Sequence, residues 1–148
     1  MNSDSALRSL QVSLHGPVAE VQLRGPSKGN AMGPDFWAEL PEVFAELDAD
    51  EGVRAVLLYG SGGNFSYGLD LPGMEPVFRP LLESQGTDAR LRAGFRRQIK
   101  ALQDAVSSVA RCSKPVVAAV EGWCIGGGVD VITAADVRVA APGARFSI

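Results

Sequence analysis

Ile125-Gly-Gly-Gly-Val-Asp130 sets three consecutive glycines two residues ahead of a carboxylate. With no Cβ at 126, 127 or 128, the backbone can take unusual φ/ψ values and a ligand can approach its peptide N–H groups closely. The run follows a β stretch, Lys114-Pro-Val-Val-Ala-Ala-Val120, which predicts a strand, a tight turn and a helix opening near Gly128. The first amides of a helix lack intrahelical acceptors and its dipole favours negative charge, so such a turn can hold an anion or an oxygen on which charge develops. Asp130 would then stand beside that oxygen as an acid or base. The same residues also fit a tight turn without a ligand, in which Asp130 only occupies the favoured first turn of a helix.

Other reactive residue types are sparse. Cys112 and Cys124 form no CxxC pair and His15 is the single histidine, so no zinc cluster is expected and both cysteines read as small buried hydrophobes. A net charge of −3 argues against a general nucleic-acid binder. No apolar run is long enough to cross a bilayer, and Met1-Asn-Ser-Asp-Ser-Ala lacks a basic n-region and an apolar h-region. A cytoplasmic protein without membrane contact is expected.

The elements that must position the glycine turn follow from periodicity. At 148 residues with 46% hydrophobic content, the chain can build one core. Leu10 to Leu14 and Val18 to Leu23 alternate around His15-Gly16-Pro17 and predict a hairpin. Phe36, Leu40, Val43, Phe44 and Leu47 recur at helical spacing behind Pro34, a residue suited to a first turn. Val53 to Tyr59 reads as a strand ending in the glycine-rich Gly60-Ser-Gly-Gly-Asn64. Residues 72–88, with prolines at 72, 76 and 80, predict a mobile loop. Leu91, Phe95, Ile99, Leu102, Val106 and Val109 form one helical stripe that Pro115 forbids from continuing. Arg90, Arg92, Arg96, Arg97 and Lys100 make a basic surface on that helix, read as its wet face. Val137 to Ala140 and Ala144 to Ile148 read as short strands. The order is α/β.

Asn64-Phe-Ser-Tyr-Gly-Leu-Asp70 is a second glycine-containing turn behind a β segment, and the two turns together suggest two N–H donors converging on one oxygen. Ser27-Lys-Gly-Asn-Ala-Met32, Phe65-Ser-Tyr-Gly-Leu-Asp-Leu71, Lys114-Pro-Val-Val-Ala-Ala-Val-Glu-Gly122, Gly126-Gly-Gly-Val-Asp130 and Ala135-Asp-Val-Arg138 occur in the order found in the crotonase superfamily, also called the enoyl-CoA hydratase/isomerase family. The chain resembles that family from about Gln11 to Ile148. The resemblance implies a crotonase-like spiral of β-β-α units without its C-terminal part. It also implies a thioester carbonyl of an acyl-CoA held by the N–H groups of Leu69 and Gly127, the oxyanion hole. Asp130 matches a position that is often glutamate in hydratases and aspartate in dienoyl-CoA isomerases, here in a Gly-Gly-Gly-Val-Asp context. Burial beside Val129, Ile132 and Leu69 would make it an effective proton carrier.

By the same resemblance Lys28 and Asn30 approach the CoA moiety, and Tyr67, Gly68, Leu69, Asp70, Leu71, Gly126 and Gly127 line the substrate. Tyr67 either narrows the acyl pocket or packs as a core tyrosine. Asp70 and Asp136 are read as structural hydrogen-bonders and Trp37 and Trp123 as fillers of space. No separate cofactor is implied, since CoA is part of the substrate. The family's second acid commonly lies about twenty positions after the residue matched to Asp130, just past Ile148. The expectation is therefore an N-terminal fragment of a longer protein that is a homo-trimer or hexamer when complete. A first chain completed by a second, or a naturally shortened protein, are the alternatives. The function expected is isomerisation or hydration of an unsaturated fatty acyl-CoA, with dienoyl-CoA isomerase favoured over enoyl-CoA hydratase. The rival from another class is a non-catalytic CoA-binding or assembly module with an incomplete acid set.

Overall fold

The computed structural model describes residues 7–25, 28–84 and 88–148. Residues 1–6, Ser27 of the first motif and residues 85–87 of the expected loop lie outside the described residues. The elements run β1 (Leu10–His15), β2 (Val18–Leu23), α1 (Pro34–Ala49), β3 (Ala55–Gly60), α2 (Leu71–Glu83), α3 (Ala89–Arg111), β4 (Val116–Val120), β5 (Trp123–Ile125), α4 (Gly127–Thr133), β6 (Val137–Ala140) and β7 (Arg145–Ser147). A five-stranded sheet has the order β1-β2-β3-β4-β6, and β5 pairs with β7 in a second, two-stranded sheet. Only β1–β2 is antiparallel in the large sheet, as its tight turn at Gly16-Pro17 requires. The pairs β2–β3, β3–β4 and β4–β6 are parallel, which needs a crossover between each. These are supplied by α1, by α2 with α3, and by β5 with α4.

Alternation along the strands sends Ala19, Val21 and Leu23 of β2, Val56 and Leu58 of β3, and Val116, Ala118 and Val120 of β4 into one core. All five periodic residues of α1 are buried in it. The N-terminal approach to β1 is fastened to α1 by Glu39, whose carboxylate accepts from the N–H groups of Arg8, Ser9 and Leu10 at 2.7, 3.0 and 3.1 Å. Helix α3 is buried only near its C-terminal end, at Ala105, Ser108 and Val109, while Ile99 of the same stripe is 38% exposed.

The expected loop over residues 72–88 is corrected. Leu71–Glu83 is helix α2, opened by Asp70, whose carboxylate accepts from the Gly73 N–H at 3.3 Å. Pro72 falls in the first turn, where a missing N–H costs nothing. Pro76 and Pro80 follow at four-residue spacing, so all three prolines lie on one exposed face. Met74 is buried on the opposite side, and Phe78 meets Phe95 of α3 edge-on at 5.7 Å.

A second difference concerns the glycine run. Between β4 and the turn the chain reverses at Gly122 (φ +59°) and adds the short strand β5 before α4 begins. A Cβ on Gly122 would stand 2.1 Å from the Gly63 carbonyl oxygen, so only glycine lets the loop after β3 and the loop after β4 touch. Trp123 N–H seals that contact with a bond to Asn64 Oδ1 at 3.0 Å.

Candidate active site

Residues 65–70 run between two other backbone segments, and that sandwich builds the site. On one side Met32 N–H donates to Gly68 O at 2.7 Å and Asp70 N–H donates to Met32 O at 3.0 Å, a parallel bridge between Met32 and Leu69. Tyr67 N–H joins the same side through Gly29 O at 2.8 Å. On the other side Ser66 N–H donates to Trp123 O at 3.0 Å and Ile125 N–H to Ser66 O at 2.9 Å.

Backbone polar groups alternate sides along an extended strand. With its neighbours committed to Met32, Leu69 turns its own N–H away from that side, toward Ile125–Gly127. There the ladder has already ended, because Gly126 (φ +49°, ψ −116°) swings the chain out of β5 into α4. Gly127 is the first residue of that helix, so its N–H has no intrahelical acceptor. Among the described residues, neither the Leu69 nor the Gly127 N–H has a hydrogen-bond acceptor. The two turns touch: a Cβ built on Gly68 would lie 3.5 Å from the Gly127 nitrogen.

The neighbouring donors are occupied. Gly68 N–H is held by Ser66 Oγ at 3.0 Å and Gly126 N–H by Ser147 O at 2.9 Å. Gly68 and Gly126, both expected to line the substrate, therefore shape the turns and do not offer their amides. Gly128 adds a third N–H without an acceptor among the described residues, and a Cβ on it would stand 3.2 Å from Ser66 Cβ and 3.4 Å from Cys124 Sγ.

Two residues that the sequence left in minor roles hold this arrangement. Ser66, fully buried, donates to Asn30 O at 2.8 Å while accepting from Gly68 N–H. Trp37 donates its indole N–H to Met32 O at 3.1 Å, and its ring lies against Gly127. Ser66 was visible inside the second motif, but a single hydroxyl carries no spacing signal that separates a brace from a loop serine.

With two turns placing unpartnered amides side by side, kinship becomes informative. Residues 14–148 match the family described as enoyl-CoA hydratase/isomerase. The chain belongs to that family. Among relatives of this enoyl-CoA hydratase/isomerase chain, the human mitochondrial Delta(3,5)-Delta(2,4)-dienoyl-CoA isomerase is 42% identical over 147 residues, covering 98% of this chain and 44% of the relative. The peroxisomal enzyme of the same name from Arabidopsis thaliana is 37% identical over 149 residues, covering 100% and 53%. The crystal structure of an enoyl-CoA hydratase/isomerase from Marinobacter aquaeolei superposes with a TM-score of 0.80 at 30% identity, covering 93% of this chain and 50% of that one. The crotonase-like α/β architecture is therefore the architecture of this chain, which spans about half the length of the curated relatives it matches.

The remaining site expectations for this enoyl-CoA hydratase/isomerase chain divide. Asp130 stands in the first turn of α4, three positions after Gly127, but its side chain is exposed. The burial expected from Val129, Ile132 and Leu69 is not present among the described residues. Asn30 is corrected from a CoA contact to an internal clamp. It is 5% exposed, with φ +52°, and its amide donates to the carbonyls of Ser61, Asn64 and Phe65 at 2.9, 2.9 and 3.2 Å. Its own Oδ1 accepts from Ser61 Oγ at 2.7 Å, leaving the side chain nothing to offer a ligand. Asn30→Ala should lower the unfolding free energy by about 1–3 kcal/mol, the cost of a buried polar group left unsatisfied. An unchanged urea midpoint would show that the clamp contributes nothing.

Lys28 is exposed beside Gly29. Tyr67 lays its ring over Gly29, so closely that a Cβ there would fall 2.4 Å from the ring, which makes it a packing residue of the 28–30 turn. Asp70 is the α2 cap, as its structural reading required, and Leu71 is 68% exposed at the start of that helix. Asp136 accepts from Val116 N–H at 2.8 Å and ties α4 to β4. Burial pushes the Cys124 thiol up to about 11 and raises that of Cys112, so neither is a thiolate nucleophile near neutral pH. A cleft of about 550 Å³ between α2 and α3 is floored by Val77, Leu81, Leu91 and Phe95 and does not include the paired amides.

Proposed function

We propose that the full-length protein isomerises or hydrates unsaturated fatty acyl-CoA, with Δ3,5-to-Δ2,4 dienoyl-CoA isomerisation as the leading reaction. The observation that carries this reading is the pair of unpartnered amides, Leu69 and Gly127, on two turns in contact. A thioester carbonyl oxygen placed between them accepts two hydrogen bonds. When a base takes a proton from C2 of a 3,5-dienoyl-CoA, the electron pair moves onto that oxygen, donors already in place stabilise the charge without reorganising, and return of a proton at C6 leaves the 2,4-diene. Each is expected to contribute roughly 3 kcal/mol to the transition state.

Asp130 is the acid-base residue of this proposal, and its aspartate in a Gly-Gly-Gly-Val-Asp context, together with relatives named as dienoyl-CoA isomerases, supports migration of a diene over hydration. CoA enters as part of the substrate, and the reading uses no separate cofactor. Trimeric or hexameric assembly and a cytoplasmic setting belong to the same proposal. The test offers the protein a 3,5-dienoyl-CoA and crotonyl-CoA separately and follows the absorbance of each. Appearance of the 2,4-diene without loss of the crotonyl chromophore is expected. Loss of the crotonyl chromophore alone replaces isomerase by hydratase, and binding of acetyl-CoA with neither reaction replaces both by a CoA-binding module.

A further inference from the structure

We infer that Trp37 is a positioning residue that fixes the spacing between the Leu69 and Gly127 amides, an inference that rests on the acyl-CoA reading above. The backbone link between the two turns ends at the Ile125 N–H to Ser66 O bond, before either donor is reached. Past that point the turns touch without a backbone hydrogen bond, and Trp37 contacts both. Its indole N–H donates to Met32 O at 3.1 Å, the oxygen that also accepts from Asp70 N–H and so grips Leu69 through the Met32 bridge. Along the benzo edge next to that N–H, its Cη2 and Cζ2 atoms lie 3.4 and 3.6 Å from where a Cβ on Gly127 would stand. The Met32 sulfur, 3.2 Å from the same point, closes the contact from the side.

The strut is stiff. An indole is a planar bicycle with only two side-chain torsions, and Phe36 meets it edge-on at 5.1 Å and 88°, which restricts its rotation. A part-buried indole N–H takes an acceptor in any case; what ties the ring to the Leu69 segment is that the acceptor is Met32 O. Here the N–H orients the ring so that the adjoining Cζ2–Cη2 edge of the benzo ring meets Gly127. Tilting the ring changes the distance between the two donors, and a small misplacement of positioned groups is costly in rate.

The test uses Trp37→Phe in the full chain and, because that variant also removes volume, benzothienylalanine at position 37, which keeps the bicycle and replaces the N–H by a sulfur that cannot donate. In ¹⁵N-labelled protein without ligand, both substitutions should shift the amide resonances of Leu69 and Gly127 together and leave those of the β1–β2 hairpin in place. With an acyl-CoA labelled with ¹³C at the thioester carbonyl, the native protein should lower the carbonyl stretching frequency. Both variants should return it toward the free value, with kcat reduced about 10–100-fold and KM within about twofold. A native frequency shift that persists unchanged in the benzothienylalanine protein overturns the strut and leaves the acyl-CoA reading standing. No frequency shift in the native protein overturns the acyl-CoA reading, and the paired amide resonances still decide whether Trp37 couples the turns.

Discussion

Gly68→Ala should be among the most destabilising single substitutions in the chain, lowering unfolding free energy by about 2–5 kcal/mol. Two independent costs add. Gly68 has φ +83°, a left-handed conformation that costs an L-residue about 1–2 kcal/mol. Its Cβ would also stand 2.7 Å from the Ile125 carbonyl oxygen, and forcing atoms into a close-packed region costs about 1–3 kcal/mol. The obstructing atom is backbone, so no rotamer change relieves it. The segments must part, and parting them moves Leu69 away from Gly127. Gly63→Ala is the control, because Gly63 also has positive φ (+74°) but a Cβ there meets nothing within 4 Å. Urea unfolding of the two variants at equal slope separates strain from contact. Equal losses would mean that the close approach of the turns adds nothing and that backbone strain alone makes position 68 a glycine.

That contrast also shows what could be read before the fold was known. The paired glycine turns and the five-residue stripe of α1 were legible because each rests on a repeated local pattern: missing Cβ atoms, or apolar residues three and four apart. The clamp role of Asn30 was not, since an asparagine in a motif reads equally as a ligand contact or as a left-handed turn residue. Only the three carbonyls collected around it, from 61, 64 and 65, decide between them. Helix α2 was hidden by its prolines, although their spacing at 72, 76 and 80 is itself helical. Proline ordinarily interrupts a helix, and here the three fall on one exposed side of α2. Trp37 was read as a space-filler because its indole N–H has a partner, Met32 O, that no periodicity predicts.

The exposure of Asp130 leads to the other large effect, and here stability and activity should part company. Asp130→Asn removes a charge from the first turn of α4, where the helix dipole stabilises an exposed carboxylate by about 0.3–1 kcal/mol. Among the described residues no donor is bonded to its carboxylate, so no buried partner is orphaned and the urea midpoint should move by no more than that amount. Asparagine matches the carboxylate in shape but cannot take up a proton at neutral pH. If Asp130 carries the substrate proton, dienoyl-CoA turnover in the full-length protein should fall by about 10²–10⁴-fold, the usual worth of a positioned acid-base group. Binding should survive, because the Leu69 and Gly127 amides are backbone groups that the substitution leaves untouched, so the carbonyl frequency of a bound acyl-CoA should stay at its native value. Retained turnover would return Asp130 to the helix-terminal charge that its first-turn position alone explains. Lost turnover together with a lost carbonyl shift would instead mean that the carboxylate holds the turn in shape. Only the split result, an intact carbonyl shift with no proton transfer, assigns the amides to the oxygen and Asp130 to the proton.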